Sequence, residues 1–135
     1  MKHAFPLLWL ALATTALLFS ACEKEEEHGD NEVTIRILEP ADNEVVADAS
    51  LVHLHLEVEA TDENHDIDIA LYPVGDSGNK IIDQNIHDHD KLITFEQDVD
   101  LSGFPSGTAF LLEVEACTDH DCAQTEFADV TFSIQ

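Results

Sequence analysis

The amino-acid sequence predicts an all-β fold, an antiparallel β-sandwich of about seven strands in one domain. Apolar and polar residues alternate with period two over most of the chain after residue 32, which is the pattern of half-buried strands. Turn segments such as GDSGN (75–79) and GFPSGT (103–108) separate these runs at short spacing. Sustained helical periodicity is absent from this part of the sequence, so we expect no helix there.

The first three predicted strands follow from the alternation. VTIRIL (33–38) comes first, and IDIALYP (67–73), which ends at a proline, comes third. Between them, LVHLHLEVEA (51–60) has the clearest pattern, because its apolar and polar residues occupy opposite faces of one strand. Its apolar face consists of Val52, Leu54, Leu56, Val58 and Ala60, and its polar face consists of His53, His55, Glu57 and Glu59.

The other four predicted strands follow turn signals. KIID (80–83) is short and comes after the glycine-rich turn, and LITFEQDVDL (92–101) follows a run of alternating His and Asp. AFLLEVEAC (109–117) and FADVTFSI (127–134) complete the set. Seven short strands in about 100 residues are typical of an antiparallel sandwich.

In chain order, these strands match strands A to G of an immunoglobulin-like fold. Over nearly all of residues 33–135 the chain also resembles the immunoglobulin- or fibronectin-type-III-like domains of bacterial surface proteins. The resemblance implies an immunoglobulin-like antiparallel β-sandwich and specifies fold rather than function. The residues that carry it are ILEPADNEVV, LHLEVEATDEN, FPSGTAFLLEVEACTD and the closing VTFSI.

The chain has a narrower resemblance to an uncharacterised family of small Gram-negative lipoproteins. Its members carry a His in the strand that corresponds to LHLE and an F-H-x-H motif in the fifth strand. This chain keeps His55 but has FEQD (95–98) in the fifth strand. Since strand B pairs with strand E in this fold, the outward residues of the two strands form a second metal candidate. Its members are His53, His55, Glu96 and Asp98, and the alternative is an exposed sheet face with ordinary cross-strand pairs.

Residues 1–21 read as a secretory signal, with a basic start and an apolar run that ends in small residues. The sequence LFSAC (18–22) resembles a bacterial lipobox, which implies lipid attachment at Cys22. The following EKEEE (23–27) resembles the acidic tag of surface-displayed lipoproteins. We therefore expect an outer-membrane lipoprotein, exposed at the surface or facing the periplasm, with residues 22–32 as an acidic tether and 33–135 as the domain. The alternative is a signal peptide followed by an incidental cysteine and an acidic linker.

The charge of the mature chain limits its partners. Removing 21 residues from 135 leaves 114, and these carry 29 acidic residues against four Lys and Arg, a net charge of −25. Nucleic acids and anionic lipid headgroups would be repelled, whereas cations would be attracted. A chain of this length is sufficient for one domain with its own core.

Four histidines are each followed directly by an aspartate, and all four pairs fall in predicted loops. The loops are TDENHD (61–66), IHDHD (86–90) and TDHD (118–121), which correspond to the B–C, D–E and F–G connections. Because these connections emerge at one end of the sandwich, we expect the pairs to lie close together. The candidate ligands are His65, His87, His89 and His120, with Asp66, Asp88, Asp90, Asp119 and Asp121 as further ligands or as acceptors for the other ring N–H.

Imidazole and carboxylate donors favour zinc, and also suit copper or nickel. Calcium bound by oxygen atoms alone is a further alternative. The other interpretation is an acidic loop surface without a metal.

Cys117 and Cys122 flank the third loop, and we expect a disulfide between them at the base of a hairpin. The alternative is a Cys–His–Cys metal site with His120.

The sequence favours a binding protein over an enzyme. Ser102, Ser106 and Thr108 lie in a turn without a nucleophile elbow or an adjacent base. We expect a lipid-anchored protein that captures or delivers a divalent metal, with zinc as the first candidate, beside an outer-membrane receptor or another surface protein. The alternatives are a protein- or glycan-interaction module and a calcium-stabilised adhesion-type domain.

Overall fold

A computed structural model describes residues 30–135, which form eight strands. The signal segment, the lipobox with Cys22 and most of the tether lie outside the described residues. Within the described part there is no helix, and so none long and apolar enough to cross a membrane. The strands are β1 (Val33–Glu39), β2 (Val45–Val46), β3 (Val52–Ala60), β4 (Asp66–Pro73), β5 (Ile82–His87), β6 (Leu92–Val99), β7 (Ala109–Cys117) and β8 (Thr125–Ile134).

The strands form two sheets, so the predicted all-β sandwich is confirmed. One sheet has the order β1-β3-β6 and the other has the order β2-β8-β7-β4-β5. All neighbours are antiparallel except β2, which pairs in parallel with β8. The two-residue strand β2 was not predicted, because two residues are too short to show a period.

The fourth predicted strand differs from the structure in its position. KIID was expected over 80–83, but β5 spans Ile82–His87 and pairs with β4. Polar residues dominate its second half because β5 is an edge strand of its sheet and exposes most of its side chains. Edge strands therefore give a weak alternating signal.

The core lies between the two sheets, and β3 contributes the face that the sequence predicts. Its five apolar residues from Val52 to Ala60 are all buried. They face the buried residues of β4, β7 and β8, among which Phe110 stacks on Phe132. The polar face of β3 points away from the core.

One end of the sandwich, which we call the loop pole, collects three connections and the N-terminal segment. The connections are 61–65, 88–91 and 118–124, and the segment is 30–32, which leads into β1. The pairing of Val33 with Ala60, and of Glu59 with Leu92, brings these segments to the same edge. The expectation that the three loops share one end is therefore met.

Candidate metal centre

The four histidines of the predicted site lie side by side at the loop pole. The His65 ring is 5.6 Å from that of His89 and 5.8 Å from that of His120, both measured between ring centroids. The His87 and His89 rings are 5.0 Å apart. Residues up to 55 positions apart in sequence thus form one continuous row of rings, in the order His87, His89, His65 and His120.

Two asparagines hold the loops of the pole in place. Asn64 is fully buried, and its side-chain amide donates to the backbone carbonyls of Val58, Asp90 and Lys91. These bonds fix the 88–91 loop, which carries His89, against the end of β3. Asn31 performs the same role on the other side, where its amide donates to the carbonyls of Glu63 and Thr118.

Three donor side chains at the pole approach one another within the reach of a single metal ion. Ligand atoms of Glu63, His65 and His89 all lie within 4.8 Å of one another. The Glu63 carboxylate is 3.4 Å from Nδ1 of His89, and both side chains are about half exposed. Two imidazoles and a carboxylate are a donor set that zinc accepts.

His65 is the unusual member of this group because its ring is buried. Only 6% of the residue is exposed, and its Nδ1 atom has no hydrogen-bond partner among the described residues. A buried polar atom without a partner costs about 1–3 kcal/mol. A metal ion satisfies an imidazole nitrogen by coordination, as a water molecule does by hydrogen bonding, so the structure contains a donor suited to a cation.

The remaining predicted ligands surround this group without entering it. The His87 ring is 3.0 Å from Asp66 through Nδ1 and Oδ1. Asp88 accepts a hydrogen bond from the backbone N–H of Asp90, and Asp119 accepts one from Ala123, so these two carboxylates shape their own turns. Three other candidates, Asp90, Asp121 and His120, are exposed.

A cavity of about 460 Å³ adjoins the centre. Its lining includes His65 and Glu63 from one loop and His120 from another. Most of the charged side chains along it are carboxylates, and the additional ones are Asp30, Asp62 and Asp119. The cavity therefore provides a negatively charged approach to the buried imidazole.

The disulfide predicted from the cysteine spacing is present in the structure. Cys117 and Cys122 are bonded, with their Cα atoms 4.8 Å apart. Both sulfurs are therefore committed to each other, and the alternative Cys–His–Cys site with His120 is not formed.

The second candidate group lies on the outer face of the three-stranded sheet and is arranged differently. As predicted, β3 pairs with β6, which places His53 opposite Asp98 and His55 opposite Glu96. His53 Nδ1 is 2.7 Å from the Asp98 carboxylate, and His55 Nε2 is 3.6 Å from that of Glu96. The two rings are 6.3 Å apart, so the residues form two cross-strand pairs.

The hydrogen bond that the Asp98 carboxylate accepts from the ring of His53 raises the pKa of His53 above its usual value, against a smaller opposing effect of desolvation. The protonated form of His53 therefore has its own counter-ion in place. This arrangement satisfies the imidazole without a metal.

Sequence reasoning missed three residues of the loop pole. Glu63 was within a quoted loop but was indistinguishable from the many other acidic residues of the chain. Asn64 gave no signal beyond being a polar loop residue. Asn31 was assigned to the tether, yet it and Glu32 already make hydrogen bonds to the loop at Thr61 and Asp62.

Comparison with known proteins does not identify the chain. No protein-family model matches the sequence, and no curated protein matches it. The chain has a weak structural similarity to a β-glucosidase from Listeria innocua, in crystal structures with glucose and with gluconolactone. Each match has 12% sequence identity and a TM-score of 0.36, and covers 76% of this chain but 16% of the other. Similarity at this level supports no conclusion about function.

Proposed function

We infer that the protein binds a divalent transition metal through Glu63, His65 and His89, and zinc is the first candidate. The observation that carries this inference is the buried imidazole of His65, whose Nδ1 atom has no hydrogen-bond partner within residues 30–135 although its ring lies among other donors. Zinc binds imidazole nitrogen and carboxylate oxygen at about 2.0–2.2 Å, usually with four ligands. The three side chains would supply three of them.

The surroundings of the centre suit capture and release rather than permanent storage. Glu63 and His89 are about half exposed, so a metal bound there stays accessible to an exchanging ligand. His87 and His120 flank the row at its two ends and offer further imidazoles. With so many carboxylates around the cavity, a cation is attracted from a distance, since the potentials of these groups add up.

The proposed setting is outside the cytoplasm, on a membrane to which Cys22 is attached by lipid. It is supported by the sequence LFSAC at the end of an apolar segment and by the disulfide, which is typical of oxidising compartments. Mass spectrometry of protein recovered from membranes tests the anchor. A Cys22→Ser variant should lose the lipid mass, and an unmodified Cys22 in the wild-type protein would contradict the anchor.

Calorimetric titration of the metal-free domain with zinc tests the proposed centre. The wild-type domain should bind one zinc saturably, and His89→Ala, which removes an exposed ligand, should weaken binding at least about tenfold. His53→Ala is the matched control, because it removes an exposed histidine with a carboxylate partner elsewhere on the same domain. Equal zinc affinities of His89→Ala and the wild type would refute the assignment.

A calcium titration separates this proposal from an oxygen-only site. Replacing Glu63 by Gln keeps the shape of the side chain but removes its charge. If calcium bound as tightly as zinc and remained bound in His89→Ala, the histidines would not be ligands.

A further inference from the structure

A second set of possible metal ligands lies across the five-stranded sheet, beside the centre of Glu63, His65 and His89. The register of the strands brings these ligands together. Asp66 pairs with His87 of β5. On its other side β4 pairs with β7, where Ile67 is opposite Ala116, so Asp66 is level with the neighbouring Cys117. The hairpin after β7 then returns Cys122 to this row through the disulfide.

The Asp66 carboxylate lies within ligand distance of both sulfurs, which are covalently bonded to each other in this structure. Ligand atoms of Asp66, Cys117 and Cys122 lie within 4.8 Å of one another. Asp66 uses both of its oxygens, since Oδ2 is 3.9 Å from the sulfur of Cys122 and Oδ1 is 3.0 Å from Nδ1 of His87. Two ligands of a tetrahedral zinc lie about 3.5 Å apart, given bonds of about 2.0–2.3 Å.

Hydrogen bonds independent of the disulfide keep the two cysteines close together. The backbone N–H of Thr118 donates to the carbonyl of Gln124 across the hairpin, and that of Cys122 donates to Asp119. The Asp119 carboxylate also accepts from the N–H of Ala123. Cleavage of the S–S bond would therefore leave Cys122 held in its turn, near Cys117 in β7.

We propose that reduction of the Cys117–Cys122 disulfide creates a second metal site, formed by the two thiolates and the carboxylate of Asp66, with His87 adjacent as a fourth donor. The ligand is a thiophilic divalent ion such as zinc or cadmium. The reductant is a dithiol, which is either a small molecule or the active site of a thiol–disulfide oxidoreductase. It passes two electrons and two protons to the disulfide and is itself oxidised to a disulfide. Binding of the ion then releases the two thiol protons to solvent.

The two thiolates and the Asp66 carboxylate of this second site are distinct from Glu63, His65 and His89, and His87 is the one donor that lies beside both groups. The redox state of the protein therefore determines its metal capacity: one ion when oxidised and two when reduced. Oxidation of the thiolates back to the disulfide would remove two donors and release the second ion. An experiment can therefore refute the proposed second site without refuting the first, and the reverse.

Cadmium is a suitable probe, because bonds between cadmium and thiolate absorb in the ultraviolet and those with imidazole or carboxylate do not. The oxidised domain should show no such band. The domain reduced by a dithiol, then freed of reductant without oxygen, should gain the band at one added equivalent. His89→Ala should keep the band even though it loses the first centre, and Cys122→Ser should lose it.

Asp66→Asn tests the carboxylate, and Asp68→Asn, two residues along β4, is its matched control. We expect Asp66→Asn to weaken cadmium binding by the reduced domain at least about tenfold and Asp68→Asn to leave it unchanged. Circular dichroism monitors the fold of each reduced form. If the reduced chain loses its strand spectrum, recovery of that spectrum with one equivalent of cadmium supports the site. No recovery, no thiolate band, or a band unchanged in Cys122→Ser overturns it.

Discussion

The loop pole and the outer face of the three-stranded sheet both combine histidines with carboxylates, yet they arrange them in opposite ways. On the sheet face, strand register gives each imidazole one carboxylate, as in the pair of His53 and Asp98. At the pole, loops from distant parts of the chain bring several donors around His65, whose buried Nδ1 atom has no hydrogen-bond partner among the described residues. Register distributes partners one to one, whereas converging loops accumulate donors, and accumulation is what a metal site requires.

The largest expected effect comes from removing the residue that makes the loops converge. Asn64→Ala removes the buried donor to the carbonyls of Val58, Asp90 and Lys91, of which Lys91 keeps the N–H of Ala60, and we expect the free energy of unfolding to fall by about 2–3 kcal/mol. Urea denaturation measures it. Asn85→Ala is the control, because the exposed Asn85 amide donates to Asp68 alone among the described residues, and its loss should cost about 0.5 kcal/mol or less. Equal losses would mean that Asn64 does not organise the pole.

Metal binding should stabilise the pole and leave the sheet face unaffected. At a free zinc concentration of 100 times Kd, the wild-type domain should gain about 2.7 kcal/mol in unfolding free energy, and chelation should remove the gain. His53→Ala should gain as much as the wild type, because the proposed zinc centre is intact in this variant. His89→Ala should gain little at the same zinc concentration. If His53→Ala lost the zinc-dependent gain in unfolding free energy and His89→Ala kept it, the zinc site would lie on the sheet face instead of at the pole.

The disulfide should contribute slightly less to stability. The loop it closes, from Cys117 to Cys122, is short, and loop-closure entropy then predicts about 2 kcal/mol. Thermal unfolding of the domain with both cysteines replaced by serine measures this contribution. If the double variant were unfolded at room temperature, the pole would depend on the disulfide far more than its hydrogen bonds suggest.

The smallest effect concerns the sheet face and its pH dependence. Because the pKa of His53 is raised in the folded state, its pairing with Asp98 stabilises the fold fully below the unfolded pKa of about 6.5 and is lost as pH rises through the folded pKa. Asp98→Asn should return the pKa of His53 towards its usual value. NMR titration of the ring protons measures the shift, and an unchanged pKa in the variant would show that Asp98 is not its cause.

The sequence predicted the sheet face better than the pole. Alternation in 51–60 placed both the buried and the exposed residues of β3 correctly, because a period of two is a property of the strand itself. It also predicted, through topology, that the His–Asp loops share one end. It did not predict Glu63 or Asn64 as members of the pole, since their roles depend on distances between loops that no local pattern encodes. The predicted position of β5 was wrong for a similar reason, because an exposed edge strand carries few apolar residues.

The end at which the chain enters the domain limits the distance between the proposed lipid anchor and the loop pole. Asn31 lies in the cavity wall, so the N-terminal segment reaches the sandwich at the loop pole, where the proposed metal site lies. With the proposed anchor at Cys22, nine residues join the lipid to Asn31, and nine extended residues span at most about 32 Å. The site would then be held within that height of the bilayer. An exchange partner would have to reach it within this membrane-proximal layer rather than from the opposite end of the domain.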